Sequence, residues 1–239
     1  MTEAKEIQKT PSEAIVVITG GGSGLGARLA KKYSEDGALV VLIGRTQKKL
    51  SLTAEQLPGP AYTFSGDLSD PDQTKQIFDR ISHHIGPVDI LINSAGVGFF
   101  APAEDIPPGK TCQMIDANLK ATIFCTQQVL KPMRQRNRGQ IVNIISMSGK
   151  RAKAEESVYC ATKFGIDGFT KAVRLELENT NVKVTGIYMG NMATELWKDD
   201  KPEDFDRFIR PEDMADIVFD VVKPRNFLSM DEITVRNAK

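Results

Sequence analysis

Short apolar runs alternate with longer stretches of helical periodicity along the whole chain. Residues 14–19 (AIVVIT) are apolar and largely β-branched, then break into a glycine cluster, which predicts a strand buried on both faces. Residues 25–36 follow with apolar positions at helical spacing, and Gly37 closes that helix. Further strands are predicted at residues 39–43, 62–64, 88–92, 140–145 and 182–188, with 233–235 as an edge strand. Helices are predicted over residues 71–85, entered through Ser69 and Asp70, and over 111–136, 157–178 and 211–222. Strands alternating with helices of this length imply an α/β fold, a doubly wound parallel sheet with helices on both faces. Ligands on such sheets lie beyond the carboxyl ends of the strands, so the segments just after each strand are where function is sought.

Composition narrows the choice of function. A chain of 239 residues with 41% hydrophobic and 26% charged positions suits one α/β domain, assigned to residues 13–239 behind a short mobile arm, 1–12. Lys plus Arg and Asp plus Glu both total 31, so there is no bulk attraction for nucleic acid or an anionic membrane. No stretch approaches the roughly 18 apolar residues of a membrane span, and the first twelve residues lack the apolar core of a signal peptide. Cys112, Cys125 and Cys160 have no CxxC spacing, which fits free thiols in a cytoplasmic protein. His83 and His84 sit together on a polar helical stretch and read as a solvated face, so no metal site is expected.

The segment after the first strand is Thr19-Gly20-Gly21-Gly22-Ser23-Gly24-Leu25-Gly26. Between a strand and a helix, such glycines permit a tight turn and close approach of pyrophosphate to backbone, with helix N–H groups facing the phosphates. This is the Rossmann-type context. Two registers fit, T-G-x-x-x-G-x-G through Thr19, Gly20, Gly24 and Gly26, or Gly22-x-Gly24-x-x-Ala27; later motifs favour the first. After the second strand an acid would bind an adenosine 2′-hydroxyl and repel a 2′-phosphate. The chain instead reads Ile43-Gly44-Arg45-Thr46, and Arg45 can fork onto a phosphate, with Ser23 and Thr46 adding hydroxyls. NADP(H) is therefore expected over NAD(H).

Tyr159 and Lys163 lie four apart on a predicted helix, hence on one face. Ser146 ends the fifth strand, thirteen positions earlier; Ser148 is a competitor that the spacing disfavours. Asn93-Ser94-Ala95-Gly96 follows the fourth strand, and Asn118 lies in the helix after it. With these motifs, Asp67 and the Gly190…Thr194 segment, the chain resembles the short-chain dehydrogenase/reductase family, in its shorter single-domain branch, over essentially its whole length. The resemblance implies a catalytic tetrad of Asn118, Ser146, Tyr159 and Lys163. It implies that Asp67 holds the adenine, that Asn93 and Gly96 line the cofactor cleft, and that Thr194 contacts the nicotinamide end. Gly22, Leu25, Leu68, Ala95 and Gly190 join them as expected cofactor contacts, with Tyr159 and Lys163 serving cofactor as well as substrate. It also implies a homodimer or homotetramer built on the two long helices.

The residue types suit hydride chemistry. Negative charge on a substrate oxygen needs a donor and then a proton, and a free phenol with a pKa near ~10 exchanges poorly at neutral pH. A lysine ammonium nearby, with a positive nicotinamide ring, is expected to draw that pKa down. The expected activity is interconversion of a small-molecule carbonyl and a secondary alcohol. A non-catalytic NADP(H)-sensing protein on the same fold is the alternative, disfavoured because a sensor has no use for a lysine-activated tyrosine. Epimerases and dehydratases with Y-x-x-x-K usually carry a longer C-terminal part. Met189-Gly190 stands where the family usually has Pro-Gly, which frees the φ that proline would fix. Residues 150–156 (KRAKAEE) are charged where relatives are often apolar, and read first as a solvated loop and second as a substrate contact. Trp197 falls in a segment, 195–206, that often serves as a substrate lid in such enzymes; packing and substrate contact are equal readings.

Overall fold

Val16, Val17 and Ile18 are completely shielded from solvent, which a strand achieves only with helices on both sides of its sheet. The computed structural model describes residues 14–197 (the Leu196 side chain excepted), 201–223 and 228–238, so the expected arm at 1–12 lies outside the described residues. Seven strands form one sheet: β1 Ile15–Thr19, β2 Leu39–Gly44, β3 Ala61–Ser65, β4 Ile90–Asn93, β5 Gly139–Ile144, β6 Val182–Met189 and β7 Glu232–Val235. Their order is β3-β2-β1-β4-β5-β6-β7, and every pairing is parallel. The chain runs outward from β1 to β3 and then returns to place β4 on the other side of β1. That reversal opens a crevice at the carboxyl ends of β1 and β4, where Thr19 is paired with Asn93.

Alternate residues of β1 face two separate cores. Val16 and Ile18 join Leu25, Leu29 and Tyr33 of α1 (Gly24–Glu35) and Met214, Val218 and Phe219 of α7 (Pro211–Val222). Val17 turns the other way, toward α3 (Pro71–His84), α5 (Ala121–Gln135) and α6 (Ser157–Glu176). The short α2 (Gln47–Ala54) buries only Leu50 and Thr53, too few apolar positions to register as helical periodicity. The predicted helix 111–136 is α4 (Pro108–Met114) and α5 joined by a π-helical turn, Ile115–Lys120. That turn carries Asn118, and wide turns of this kind often mark functional positions.

The start of the sheet is tied by a buried carboxylate. Asp89 accepts from the Ile15 amide and from Arg136 Nη1, each at 3.1 Å, while Arg136 Nη2 donates to the Val88 carbonyl at 2.6 Å. Arg136→Ala removes the charged partner of that carboxylate and is expected to lower stability by about 2–3 kcal/mol, the scale of hydrogen bonds to a charged group. The urea midpoint should fall with an unchanged slope; a loss below about 0.5 kcal/mol contradicts the assignment.

Candidate active site

The glycine turn is shaped by what a side chain would strike. A Cβ on Gly20 (φ 68°) would lie 2.9 Å from the Ala95 Cα, and one on Gly26 would lie 2.4 Å from the Gly20 carbonyl oxygen. Both contacts are backbone, so neither can yield. Gly24 (φ 51°) opens α1, and its missing Cβ faces only the Thr194 methyl at 3.5 Å. Thr19 fixes the opposite wall, its hydroxyl oxygen accepting from the amides of Ser94 and Ala95 at 3.1 Å each. The result is a cleft of about 980 Å³ over the carboxyl ends of the strands, lined on this side by Gly20, Gly22, Ser23, Gly24, Leu25 and Gly26. The first-turn amides of α1 have no partners within the helix and suit an anion there.

Arg45, Thr46, Asp67 and Leu68 line the far end of the same cleft. The backbone amide of Ser69, then its hydroxyl, hold the Asp67 carboxyl below its ordinary value, with Arg45 adding a smaller pull. Lys49, on α2, forms a 2.7 Å ion pair with Glu195 across the mouth. Lys49 and Ser69 also line the cleft and escaped the sequence reading, Lys49 because α2 itself did.

At the other end, α6 delivers Tyr159 and Lys163 to the cleft from one face. Lys163 is only 5% exposed, and its ammonium donates to the Ile144 carbonyl at 3.2 Å. Its Nζ stands 5.6 Å from the centre of the Tyr159 ring. The π-helical turn brings in Asn118, whose amide clamps Val97 through both its backbone groups (2.7 and 2.9 Å) and donates to Thr162 Oγ1 at 3.1 Å. A Cβ on Gly96 would meet Asn118 Oδ1 at 3.2 Å and Lys163 Nζ at 3.9 Å, so the bare glycine leaves room for both; Lys163 lines the cleft, whereas Asn118, fully buried, and Ser146 stand behind its lining. Burial pushes the Tyr159 phenol up to about 12 and the Glu156 charge adds to that, while a Ser146 hydroxyl turned toward the phenol would pull the other way. Burial also brings Lys163 down to about 8. In the cofactor-free protein desolvation dominates the phenol, and the expected downward pull is that of Lys163 together with a positive nicotinamide ring.

Two expected cofactor contacts sit elsewhere. The Asn93 side chain is buried beneath the cleft, donating to Thr126 Oγ1 (3.1 Å) and Asn143 Oδ1 (2.8 Å), so it ties β4 to β5 and α5 instead of lining the site. Gly190 packs against the C-terminal segment, its amide bonded to the Val235 carbonyl at 2.9 Å and its missing Cβ 2.3 Å from Asn237 Oδ1. Met189, Met192 and Thr194 line the cleft around it. In the charged loop, Lys150 pairs with Glu232 at 2.5 Å and covers the Tyr188 ring, and Lys153 pairs with Glu156 at 3.3 Å, so neither is directed at the cleft.

The family model of short chain dehydrogenases matches residues 14–204. The chain belongs to the short-chain dehydrogenase/reductase family and is one of its oxidoreductases. An uncharacterised oxidoreductase of Staphylococcus epidermidis is 32% identical over 94% of this chain and 97% of its own. Among solved structures, the closed form of a serine dehydrogenase complexed with NADP+ superposes with a TM-score of 0.86 at 28% identity, covering 92% of this chain and 93% of that one. A metagenomic short-chain oxidoreductase in complex with NADP gives 0.82 at 29% identity, covering 95% and 97%.

The depressed Lys163 has a consequence for stability. Between about 8, its folded value, and its ordinary 10.5, the folded protein binds fewer protons than the unfolded chain, so this group makes stability rise with pH across that window. The cost of burying the ammonium is fully present below about 8. Lys163→Met should flatten the rise in thermal midpoint between pH ~8 and ~10 relative to the parent protein. Parallel curves for the two proteins would mean that the amine is not buried as described.

Proposed function

We propose that the protein interconverts a carbonyl and a secondary alcohol with NADP(H), with Tyr159 as acid/base. The observation that carries this reading is the convergence of Tyr159, Lys163 and the glycine turn on one cleft. The residues fit a dinucleotide: Gly20 and Gly26 hold the turn so close to backbone that no side chain fits, and α1 presents its N-terminus to the cleft. Arg45 and Thr46, with no acid at Gly44, suit a 2′-phosphate, and Lys49 adds a second cation beside them. Asp67 suits the adenine side. When bound, the nicotinamide carries the hydride.

The chain's own groups then handle the oxygen. Ser146 and Tyr159 hydrogen-bond the carbonyl, and Tyr159 passes its proton to that oxygen as negative charge develops. Lys163 lies close enough to stabilise the resulting phenolate, and Asn118 holds the Gly96–Val97 turn that keeps the cleft open beside it. Phe100 stands edge-on to the Tyr159 ring (5.5 Å) and stacks on Trp197 (5.1 Å), an aromatic wall that favours an apolar group next to the carbonyl. The exposed Ile115 and Phe164, on the helical run beginning at α4 and on α6, suit a symmetric homo-oligomer, and a cytoplasmic setting accords with free cysteines.

One assay tests the reading: oxidation of NADPH and of NADH against a panel of apolar ketones and aldehydes, for the parent, Tyr159→Phe and Arg45→Ala. Tyr159→Phe should lower turnover ~10²–10⁴-fold, the usual contribution of a positioned acid, while NADPH still binds. Arg45→Ala should weaken NADPH by roughly tenfold or more, as expected for a lost charge-assisted bond, and leave NADH nearly unaffected. Near-native turnover in Tyr159→Phe, or equal losses for both cofactors in Arg45→Ala, contradicts the proposal. Tight NADPH binding without turnover on any carbonyl would favour the sensing alternative.

A further inference from the structure

A chain of hydroxyls runs from the catalytic tyrosine to a carboxylate that no step of the reaction uses. Glu156 is the N-cap residue of α6, yet its side chain caps nothing. It turns inward instead, only 14% exposed, and its Oε2 lies 2.5 Å from Ser148 Oγ. The residue before it, Glu155, has a φ of 62°, a left-handed conformation that a non-glycine residue holds only when its surroundings impose it. Its carbonyl accepts from the Ala101 amide at 2.9 Å, so the loop that aims Glu156 is anchored beside Phe100. Ser148 itself is 1% exposed and lies 3.3 Å, Oγ to Oγ, from Ser146.

The donor inventory fixes the direction of every bond. A carboxylate only accepts, so Ser148 must give its one hydroxyl proton to Glu156. Ser148 Oγ can then only accept from Ser146, so the Ser146 proton is committed to Ser148. The Ser148 amide also donates to Ser146 Oγ, at 3.1 Å, leaving Ser146 one lone pair and no proton for the phenol. Such a serine can hydrogen-bond Tyr159 only while Tyr159 keeps its own proton.

We propose that Glu156, acting through Ser148, is a positioning residue that turns the Ser146 hydroxyl away from Tyr159 and so holds the phenol in its acid form before the carbonyl arrives. This rests on the reading of Tyr159 as the acid. It sets the resting site for proton donation, hence for carbonyl reduction. Once a carbonyl oxygen is present, the Ser146 proton rotates from Ser148 to that oxygen, and no bond other than hydrogen bonds is broken. The titratable groups around the phenol are Glu156, Cys160 and Lys163 on its own helix, with Lys153 pairing to Glu156 from the preceding loop. Phe100, from the facing loop, is uncharged.

The test reads the tyrosine directly and needs no substrate. The ring-carbon NMR resonance of Tyr159 in the NADP+-loaded protein, assigned by its loss in Tyr159→Phe, is titrated in the parent, Glu156→Ala, Ser148→Ala and the double variant. Either single change removes an acceptor from the chain and frees the Ser146 proton for the phenolate, so the phenol's midpoint should fall by about one pH unit, a tenfold change in its ionisation constant. In the Ser148→Ala background, Glu156→Ala should shift the midpoint less than it does alone, leaving only the direct effect of the Glu156 charge. An undiminished second shift would mean that the Glu156 charge acts through space alone, and an unmoved midpoint in both single variants would mean that it does not act at all; either overturns the proposal. A Tyr159 that titrates as proposed in a protein without turnover on any carbonyl separates this inference from the proposed activity, which would fail alone.

Discussion

A lysine ammonium buried with no carboxylate beside it among the described residues is the constraint around which the site is arranged. The described residues give Lys163 one hydrogen bond, to the Ile144 carbonyl at the end of β5, and burial alone brings it down to about 8. Placing a cation there costs stability, and the fold accepts that cost at the one point where β5, α6 and the π-helical turn meet. The same burial pushes Tyr159 the other way, to about 12. In the cofactor-free protein, then, a weakened base and a weakened acid face the cleft together. A bound group carrying positive charge beside the phenol would reverse the balance on Tyr159, because an opposite charge favours phenolate while desolvation opposes it. On this account the site is poised by burial and switched by what binds.

Much of this was legible in the sequence because it rests on periodicity and on residues that physics leaves no freedom to replace. The β-branched strands and amphipathic helices gave seven strand positions that the sheet occupies, with ends displaced by at most two residues. Gly20 and Gly26 were readable because a turn this tight meets backbone wherever a Cβ would stand. Tyr159 and Lys163 stand four apart on one helix face, a spacing that carried weight only beside Ser146, Asn118 and the glycine turn.

What stayed hidden depends on where side chains turn, and on weak local signals. Asn93 follows a strand that ends at the cleft, but strand alternation sends its amide beneath the sheet to Thr126 and Asn143. Gly190 is occupied by the C-terminal segment, a contact between residues 47 apart in sequence that no local pattern announces. The π-helical turn at Asn118 has no propensity signature distinct from the flanking helix. Ser148 and Glu156 were visible as residues but read as a rival serine and a solvated charge. Their relation depends on a left-handed Glu155 that only the folded loop reveals.

The reversal at Tyr159 is open to one direct measurement. Titration of its ring-carbon NMR resonance, in the protein free and saturated with NADP+, reports the phenol without reference to any substrate. The account predicts a midpoint near the value burial imposes, about 12, in the free protein and a fall of at least one unit, roughly tenfold in ionisation, on loading. A midpoint that is the same in both states, or that rises with NADP+, would show that the cleft does not bring the cofactor's charge to Tyr159, and the acid/base role assigned to that residue would be wrong.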